Sequence, residues 1–212
     1  MTRSAANSTN TRVLDASDRD DRRLADAIEK TFAQCFAQDY RTELVGGALE
    51  PLYEPASSAQ PARLLYREDF PASALHEVAH WCIAGEARRQ RVDFGYPYIA
   101  GPRSAGQQAT FFALELRTQS LEKQFAQAAG LDFLPSADNL QADLNGFGGD
   151  IVAYEPQLLD WLARPAGARA RRFIQGLEST FGTRGEEGAP QTQQPERHVG
   201  GNDSPFRGPD VD

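Results

Sequence analysis

The stretch that decides how this chain folds runs from residue 72 to residue 85 and reads Ala72-Ser73-Ala74-Leu75-His76-Glu77-Val78-Ala79-His80-Trp81-Cys82-Ile83-Ala84-Gly85. Within it, His76, Glu77 and His80 form an H-E-x-x-H pattern. Residues four apart in an α-helix lie one turn above each other, so both imidazoles can reach one metal ion. The chain has only three histidines and this stretch is strongly apolar, which disfavours an accidental surface spacing. We predict a metal-binding helix over 72–89.

The two histidines are expected to lie at the edge of the protein core. An apolar stripe runs along the predicted helix and consists of Leu75, Val78, Ala79 and Cys82. His76 and His80 fall beside this stripe. They should therefore lie between the core and a cleft, where buried ligands can hold an ion that still meets a substrate.

The composition fits one ordinary domain between two polar tails. The chain has 212 residues, of which 40% are hydrophobic and 25% charged, which is enough to bury a core. Residues 1–17 are rich in Ser, Thr and Asn, and residues 183–212 in Gly, Pro, Gln and charge. We predict that both segments are disordered and that 18–182 form the catalytic domain. His198 falls in the second tail and is disfavoured as a metal ligand.

Charge and hydropathy exclude several classes of function. A net charge of -8 disfavours nucleic-acid binding, which needs an excess of Lys and Arg on one face. No apolar run approaches the roughly 20 residues that span a bilayer, and the first 21 residues lack the apolar centre of a signal peptide. Cys35 and Cys82 belong to no C-x-x-C pair, so we expect reduced core residues. We predict a cytoplasmic protein without a membrane segment.

Hydrophobic periodicity predicts an α+β domain in which helices dominate a small sheet. Apolar residues such as Leu24, Ile28 and Phe32 recur at helical spacing, whereas three short stretches rich in branched or aromatic residues are bounded by Gly or Pro. Besides 72–89, the predicted helices are 18–37, 116–129, 150–163 and 168–181. The predicted strands are 42–45, 51–53 and 62–66, with a further short strand at 92–96.

A catalytic metal needs a carboxylate ligand in addition to two histidines. Glu115 is embedded among large apolar residues, and a divalent ion would compensate the cost of burying its charge. We therefore predict Glu115 as the third ligand. Asp93 is the reserve, although a turn or capping role is favoured for it. Glu86 lies too far along the helix, and Glu122, about two turns beyond Glu115, is interpreted as solvent-facing.

The pattern alone leaves the chemistry open. In a zinc peptidase, Glu77, a quarter-turn from His76, would act as general base for metal-bound water. Two histidines and one acid with open positions also form the iron site that activates oxygen. A purely structural metal would need a fourth ligand, and no good one exists outside the tail. The motif by itself favours the zinc peptidase.

Several stretches taken together resemble the bacterial elongation factor P hydroxylases. They are, in chain order, Pro51-Leu52-Tyr53-Glu54-Pro55-Ala56, Ala74-Leu75-His76-Glu77-Val78-Ala79-His80-Trp81-Cys82-Ile83-Ala84-Gly85, Ala87-Arg88-Arg89, Val92-Asp93-Phe94-Gly95-Tyr96, Ala128-Ala129-Gly130 and Asp138-Asn139-Leu140. The similarity covers approximately residues 27–182 and excludes both tails. It reverses the preference for a peptidase.

The resemblance implies an iron-dependent, oxygen-using hydroxylase, with Fe(II) as cofactor and dioxygen as co-substrate. Its substrate would be a lysine of elongation factor P that has received a β-lysyl extension. The resemblance also implies a zincin-like metal-binding helix and a site of two histidines and one glutamate. His76 and His80 match the motif, and Glu115 matches the acidic position upstream of the helix ending in Ala-Ala-Gly. Glu77 would orient a ligand or relay a proton.

Two further groups of residues have alternative interpretations. Tyr96 and Tyr98 could line the cleft, although packing is the commoner role of such aromatics. Two arginine groups could steer an acidic partner towards the cleft or could be ordinary solvated helix ends. These groups are Arg88, Arg89 and Arg91, and Arg169, Arg171 and Arg172.

Overall fold

The computed structural model describes residues 16–95, 105–136 and 146–182. Its helices are α1 (Ala16–Tyr40), α2 (Pro71–Ile83), α3 (Ala105–Ala128), α4 (Phe147–Ala153), α5 (Glu155–Ala163) and α6 (Ala168–Phe181), and its strands are β1 (Thr42–Ala48), β2 (Leu52–Glu54) and β3 (Ala62–Arg67). Single 3-10 turns occur at Arg88–Gln90, Val92–Gly95 and Pro165–Gly167. The predicted helix-dominated α+β class is confirmed. In the described ranges, no helix has the length and apolar character needed to cross a membrane.

The core forms where α1, α2, α3 and α6 meet. Trp81 of α2 lies edge-on to Phe32 of α1, with ring centroids 5.2 Å apart. Phe173 of α6 packs against Phe125 of α3 at 5.0 Å. All four rings are fully buried, and offset or edge-to-face packing of this kind adds to the free energy gained by burying apolar surface. Cys35 and Cys82 are buried and unbridged, as predicted.

The sheet has the strand order β1-β3-β2, with β1 parallel and β2 antiparallel to β3. The predicted end of β1 at residue 45 is wrong, because the strand continues through an irregularity between Val45 and Ala48. Gly46 lies so close to the Tyr66 hydroxyl that a Cβ there would stand 2.6 Å from it, and Gly47 has a φ of +82°. The two glycines therefore mark a bulge and do not end the strand.

The metal-motif helix α2 is shorter than predicted. It begins with Pro71, whose missing N–H costs nothing at the first helical position. It ends at Ile83, because Ala84 is extended with ψ 121°. The predicted end at residue 89 is therefore wrong, and Arg88 and Arg89 lie in a separate 3-10 turn and not in the last turn of α2. Glu86 also lies beyond the helix.

The second half of the chain differs from the prediction at three places. Helix α3 begins at Ala105 and not near 116, so Glu115 lies inside it. The predicted helix 150–163 is two helices that meet at Tyr154. Pro156 explains this break, since it lacks the N–H that would bond to the carbonyl four residues earlier. Helix α6 spans 168–181 as predicted.

The limits of the catalytic domain, 18–182, and the predicted disorder of the tails stay predictions. Residues 1–15 and 183–212 lie outside the described part of the chain. The first helix begins at Ala16, two residues before the predicted position. A zincin-like arrangement of α2 also stays a prediction.

Candidate metal centre

Helices α2 and α3 bring the three predicted ligands together. His76 and His80 lie one turn apart on α2, with their Nε2 atoms 3.1 Å from each other. Glu115 on α3 places Oε2 3.6 Å from His76 Nε2 and Oε1 3.4 Å from His80 Nε2. Ligand atoms about 2.1 Å from a shared cation lie about 3.0–3.4 Å apart. The three side chains therefore have the spacing and chemistry to hold one cation.

The ligand cluster lies between the core and the surface. Glu115 is only 7% exposed, whereas the side chains of His76 and His80 are 22% and 21% exposed. The neighbouring Val78 and Ala79 are fully buried. This is the margin that the apolar stripe of the sequence predicts. Among the described residues, the cluster comprises these three side chains and no fourth His, Cys, Asp or Glu.

Glu122 is a member of the site that the sequence interpretation missed. Its Oε2 lies 2.8 Å from His76 Nδ1, and the residue is 7% exposed. The prediction that Glu122 faces solvent is wrong, because the face of α3 that carries Glu115 packs against α2. Seven residues are nearly two helical turns, so Glu115 and Glu122 share a face. This spacing is the signal that could have revealed it.

The electrostatics of the two imidazoles differ. Burial disfavours the charged form of His76, but the hydrogen bond to Glu122 and the charges of Glu122, Glu115 and Glu77 outweigh this and raise the pKa of His76 to about 10. Burial, together with the charge on His76, lowers the pKa of His80 well below its ordinary value. The surroundings of the two rings therefore favour the charged form of His76 and the neutral form of His80.

Glu77 lies at the same margin but outside the group of three ligands. It is partly exposed. Burial and the negative charges of Glu115 and Asp93 raise the pKa of Glu77, and the positive charge of His76 lowers it, with the result that the pKa is about 7. Its predicted catalytic role stays a prediction.

Asp93, the reserve ligand, has a different task. Its Oδ1 accepts a hydrogen bond from the backbone N–H of Tyr53 at 2.9 Å. The predicted strand 92–96 is wrong, because residues 92–95 form a 3-10 turn in which Asp93 and Phe94 have left-handed backbones. Phe94 stacks on Tyr53 with centroids 4.3 Å apart. Asp93 therefore plays the turn role that the sequence favoured. Tyr96 and Tyr98 lie outside the described residues.

Several of the arginines considered for steering a partner bind the protein's own carbonyl groups. Arg169 donates to Cys82 O at 3.0 Å and to Ala84 O at 2.6 Å. Arg89 also donates to Ala84 O at 2.6 Å. Positive groups at the carboxyl end of a helix satisfy its last carbonyls and suit its dipole. These two guanidinium groups therefore complete the end of α2.

Three further arginines of the two groups also have local partners. Arg88 donates to Phe94 O at 3.3 Å. Arg171 donates to Arg164 O at 2.9 Å, and Arg172 pairs with Asp39 at 2.6 Å. Steering by the exposed members of these groups stays a prediction.

Comparison with known proteins identifies the family. A family model described as "Elongation factor P hydroxylase" matches residues 31–191. Elongation factor P lysine hydroxylase of Haemophilus influenzae is 44% identical over 125 residues, which are 58% of this chain and 68% of that protein. Both matches name a hydroxylase, so the zinc-peptidase interpretation gains no support. The chain belongs to the elongation factor P hydroxylase family.

Proposed function

We propose that this protein is an iron- and oxygen-dependent hydroxylase that acts on the β-lysylated lysine of elongation factor P. The observation that carries the proposal is the partly buried cluster of His76, His80 and Glu115 in a chain of this family. Two imidazoles and one carboxylate with further positions open are the donor set of non-haem iron oxygenases. Fe(II) held there would supply the capacity to activate dioxygen, with one oxygen atom going into a C–H bond and the other leaving as water at the expense of two electrons from an external reductant.

Individual side chains of the site have separate roles in the proposed reaction. His76 and His80 hold the cation through their Nε2 atoms, and the buried Glu115 supplies the negative charge that a divalent ion requires. Glu77, next to a ligand and partly exposed at the same margin, orients a bound group or moves a proton at its carboxylate. The apolar side of α2 excludes water from the inner side of the site.

The net charge of the chain suits the proposed substrate. A β-lysyl extension carries ammonium groups and is cationic. The whole chain carries a net charge of -8. An acidic surface attracts a cationic group and raises its rate of encounter. Since translation factors act at the ribosome, we place the enzyme in the cytoplasm.

The test is mass spectrometry of elongation factor P carrying the β-lysyl modification. The protein is loaded with Fe(II) without oxygen, mixed with this substrate and an excess of a small-molecule reductant, and exposed to air; the reductant supplies the two electrons that convert the second oxygen atom of dioxygen to water. We expect the modified lysine to gain one oxygen atom, and the rate to fall at least ~100-fold in His76→Ala and His80→Ala, because each removes one metal ligand. His198→Ala is the matched control, since it removes the third histidine of the chain and should leave the rate unchanged.

Two results would overturn the proposal. One is an unaltered substrate mass after the iron-loaded protein is exposed to air in the presence of the reductant. The other is peptide cleavage by the zinc-loaded protein that Glu77→Gln abolishes while zinc stays bound, since this is the behaviour of a zinc peptidase.

A further inference from the structure

The described part of α3 carries two buried carboxylates that meet His76 from different sides. Glu115 Oε2 lies 3.6 Å from His76 Nε2, and Glu122 Oε2 lies 2.8 Å from His76 Nδ1. Glu115 therefore faces Nε2, the ring nitrogen directed at the ligand cluster, and Glu122 faces Nδ1, the other ring nitrogen. The two glutamates have different relations to a bound cation, although both are equally buried.

The chemistry of imidazole fixes what each ring nitrogen of His76 can do. A neutral imidazole carries one N–H donor and one lone pair. When Nε2 gives its lone pair to a cation, the proton belongs on Nδ1, where the partner must be an acceptor. Glu122 Oε2 stands at hydrogen-bond distance from that position. The contact therefore selects the form of His76 that can bind a metal through Nε2.

The position of Glu122 is fixed by the fold. Thr118 and Gln119, between the two glutamates on α3, are buried. The Gln119 side chain donates to Ser136 O at 2.8 Å and accepts from Ser136 N at 3.0 Å. This double hydrogen bond ties α3 to the segment that follows it. The rotation of α3, and with it the direction of both glutamates, is therefore constrained on the face that meets α2.

We propose that Glu122 is a positioning residue for the metal site: it accepts the Nδ1–H hydrogen bond of His76 and so holds the ring with Nε2 directed at the cation. The proposal rests on the metal site of the proposed function. A carboxylate behind a ligating histidine fixes ring orientation and makes the ligand more basic. Glu122 touches neither the cation nor the substrate.

The test measures metal affinity directly and does not depend on activity. Full-length wild type, Glu122→Gln and Glu122→Ala are titrated with Zn(II) and Co(II) against a competing chelator. We expect Glu122→Ala to weaken binding about 10–100-fold, the usual effect of losing such a partner. Glu122→Gln should weaken binding less, because its amide oxygen can still accept from Nδ1–H.

The matched control is Glu29→Gln. Glu29 is also a partly buried carboxylate with structural hydrogen bonds, since it accepts from Tyr66 Oη and from the Gly46 N–H, each at 3.0 Å. It lies outside the metal cluster. We therefore expect Glu29→Gln to lower the melting temperature without changing metal affinity.

A second measurement separates positioning from general destabilisation. In the zinc-loaded, nitrogen-15-labelled protein, NMR should show a hydrogen-bonded Nδ1–H of His76. In Glu122→Ala, this signal should disappear or move to the chemical shift of a solvent-exposed imidazole.

If Glu122→Ala does not fold, Glu122→Asp keeps the charge but withdraws the acceptor by one methylene, and the same loss of affinity is expected. Wild-type affinity in every folded Glu122 variant would overturn the role of Glu122 alone. A wild-type protein that binds neither ion would overturn this inference together with the proposed function.

Discussion

The two faces of α2 differ in chemistry, since one carries the candidate metal ligands and the other packs in the apolar core. Towards α3, His76 and His80 meet buried carboxylates. Towards α1 and α6, Trp81 lies in an aromatic cluster that includes Phe32, Phe36 and Phe173. Crowded buried charges oppose folding unless a cation compensates them, whereas the aromatic face contributes apolar burial. Substitutions on the two faces should therefore have opposite consequences.

The largest effect should come from Glu115→Gln on the polar face. We expect metal affinity to fall at least ~100-fold, because the site loses its only anionic ligand within the cluster of three. The free energy of unfolding of the metal-free protein should stay the same or rise, since a neutral amide replaces a carboxylate that is 7% exposed. Chelator competition measures the first quantity, and urea unfolding in the presence of a chelator measures the second.

The same experiment can contradict the comparison. If Glu115→Gln destabilises the metal-free protein as much as a core truncation does, the polar face is needed for folding and the division of α2 is wrong. Glu178→Gln is the control, since it changes an exposed glutamate of α6 and should alter neither quantity.

On the aromatic face, Phe173→Ala should lower the free energy of unfolding by about 3–5 kcal/mol, the range for removing a large buried aromatic ring. Phe173 is fully buried and packs edge-on against Phe125 and Phe32. At a temperature where the variant is folded, its metal affinity should match wild type. Urea unfolding and metal titration check both results.

Leu134→Ala provides the control for Phe173→Ala. Leu134 is 82% exposed, so its truncation should change the free energy of unfolding by less than about 0.5 kcal/mol. Loss of metal binding in folded Phe173→Ala would mean that the aromatic face sets the geometry of the site, and the two faces could not be treated separately.

Much of the fold could be predicted because its elements are regular along the chain. The bounds of α6 follow from apolar residues at helical spacing, and the positions of the three strands from short runs between Gly and Pro. The strand predicted at 92–96 failed because alternation of apolar and polar residues was the only local signal there. The left-handed turn at Asp93 is set by a hydrogen bond to Tyr53, forty residues away, which no local pattern contains.

The residues of the candidate site could likewise be predicted only in part. His76 and His80 could be predicted because their spacing within one helix is sufficient to bring them together, and Glu115 because a buried acid among apolar residues needs a compensating charge. Glu122 was missed because α3 was predicted to begin near residue 116, which left Glu115 outside the helix and hid the spacing that places both glutamates on one face. Likewise, the end of α2 depends on Arg169, 87 residues from Cys82.

A smaller loss of stability is expected from a substitution at the carboxyl end of α2, where Arg169 binds its last carbonyl groups. Arg169→Met removes hydrogen bonds to Cys82 O and Ala84 O and a guanidinium that lies 4.7 Å from the centre of the Trp81 ring. We expect the free energy of unfolding to fall by about 1–3 kcal/mol. Thermal and urea unfolding measure the loss.

Arg172→Met is the matched control for Arg169→Met, because it changes a second arginine of α6 whose partner is the exposed Asp39. Exposed ion pairs contribute little, so the unfolding free energy should stay close to that of wild type. Equal losses in the two variants would mean that the contacts of Arg169 with α2 add nothing beyond a surface charge.

The smallest effect concerns the sheet side of the molecule and depends on pH. Burial, the charge of Glu29 and the Tyr66–Glu29 hydrogen bond raise the pKa of Tyr66 above its ordinary value of 10.0. Above pH 10, the unfolded chain therefore releases a proton that the folded protein retains, so the free energy of unfolding falls as pH rises.

Tyr66→Phe should lower the free energy of unfolding by about 1 kcal/mol at pH 8 through the lost hydrogen bond. Between pH 9 and 11, however, the stability of this variant should fall less steeply than that of wild type. Urea midpoints across this range measure both slopes, with Leu134→Ala expected to run parallel to wild type. Parallel slopes for Tyr66→Phe and wild type would show that folding does not raise the pKa of Tyr66. Glu29 would then perturb its neighbour less than the carboxylates at the candidate metal centre perturb His76.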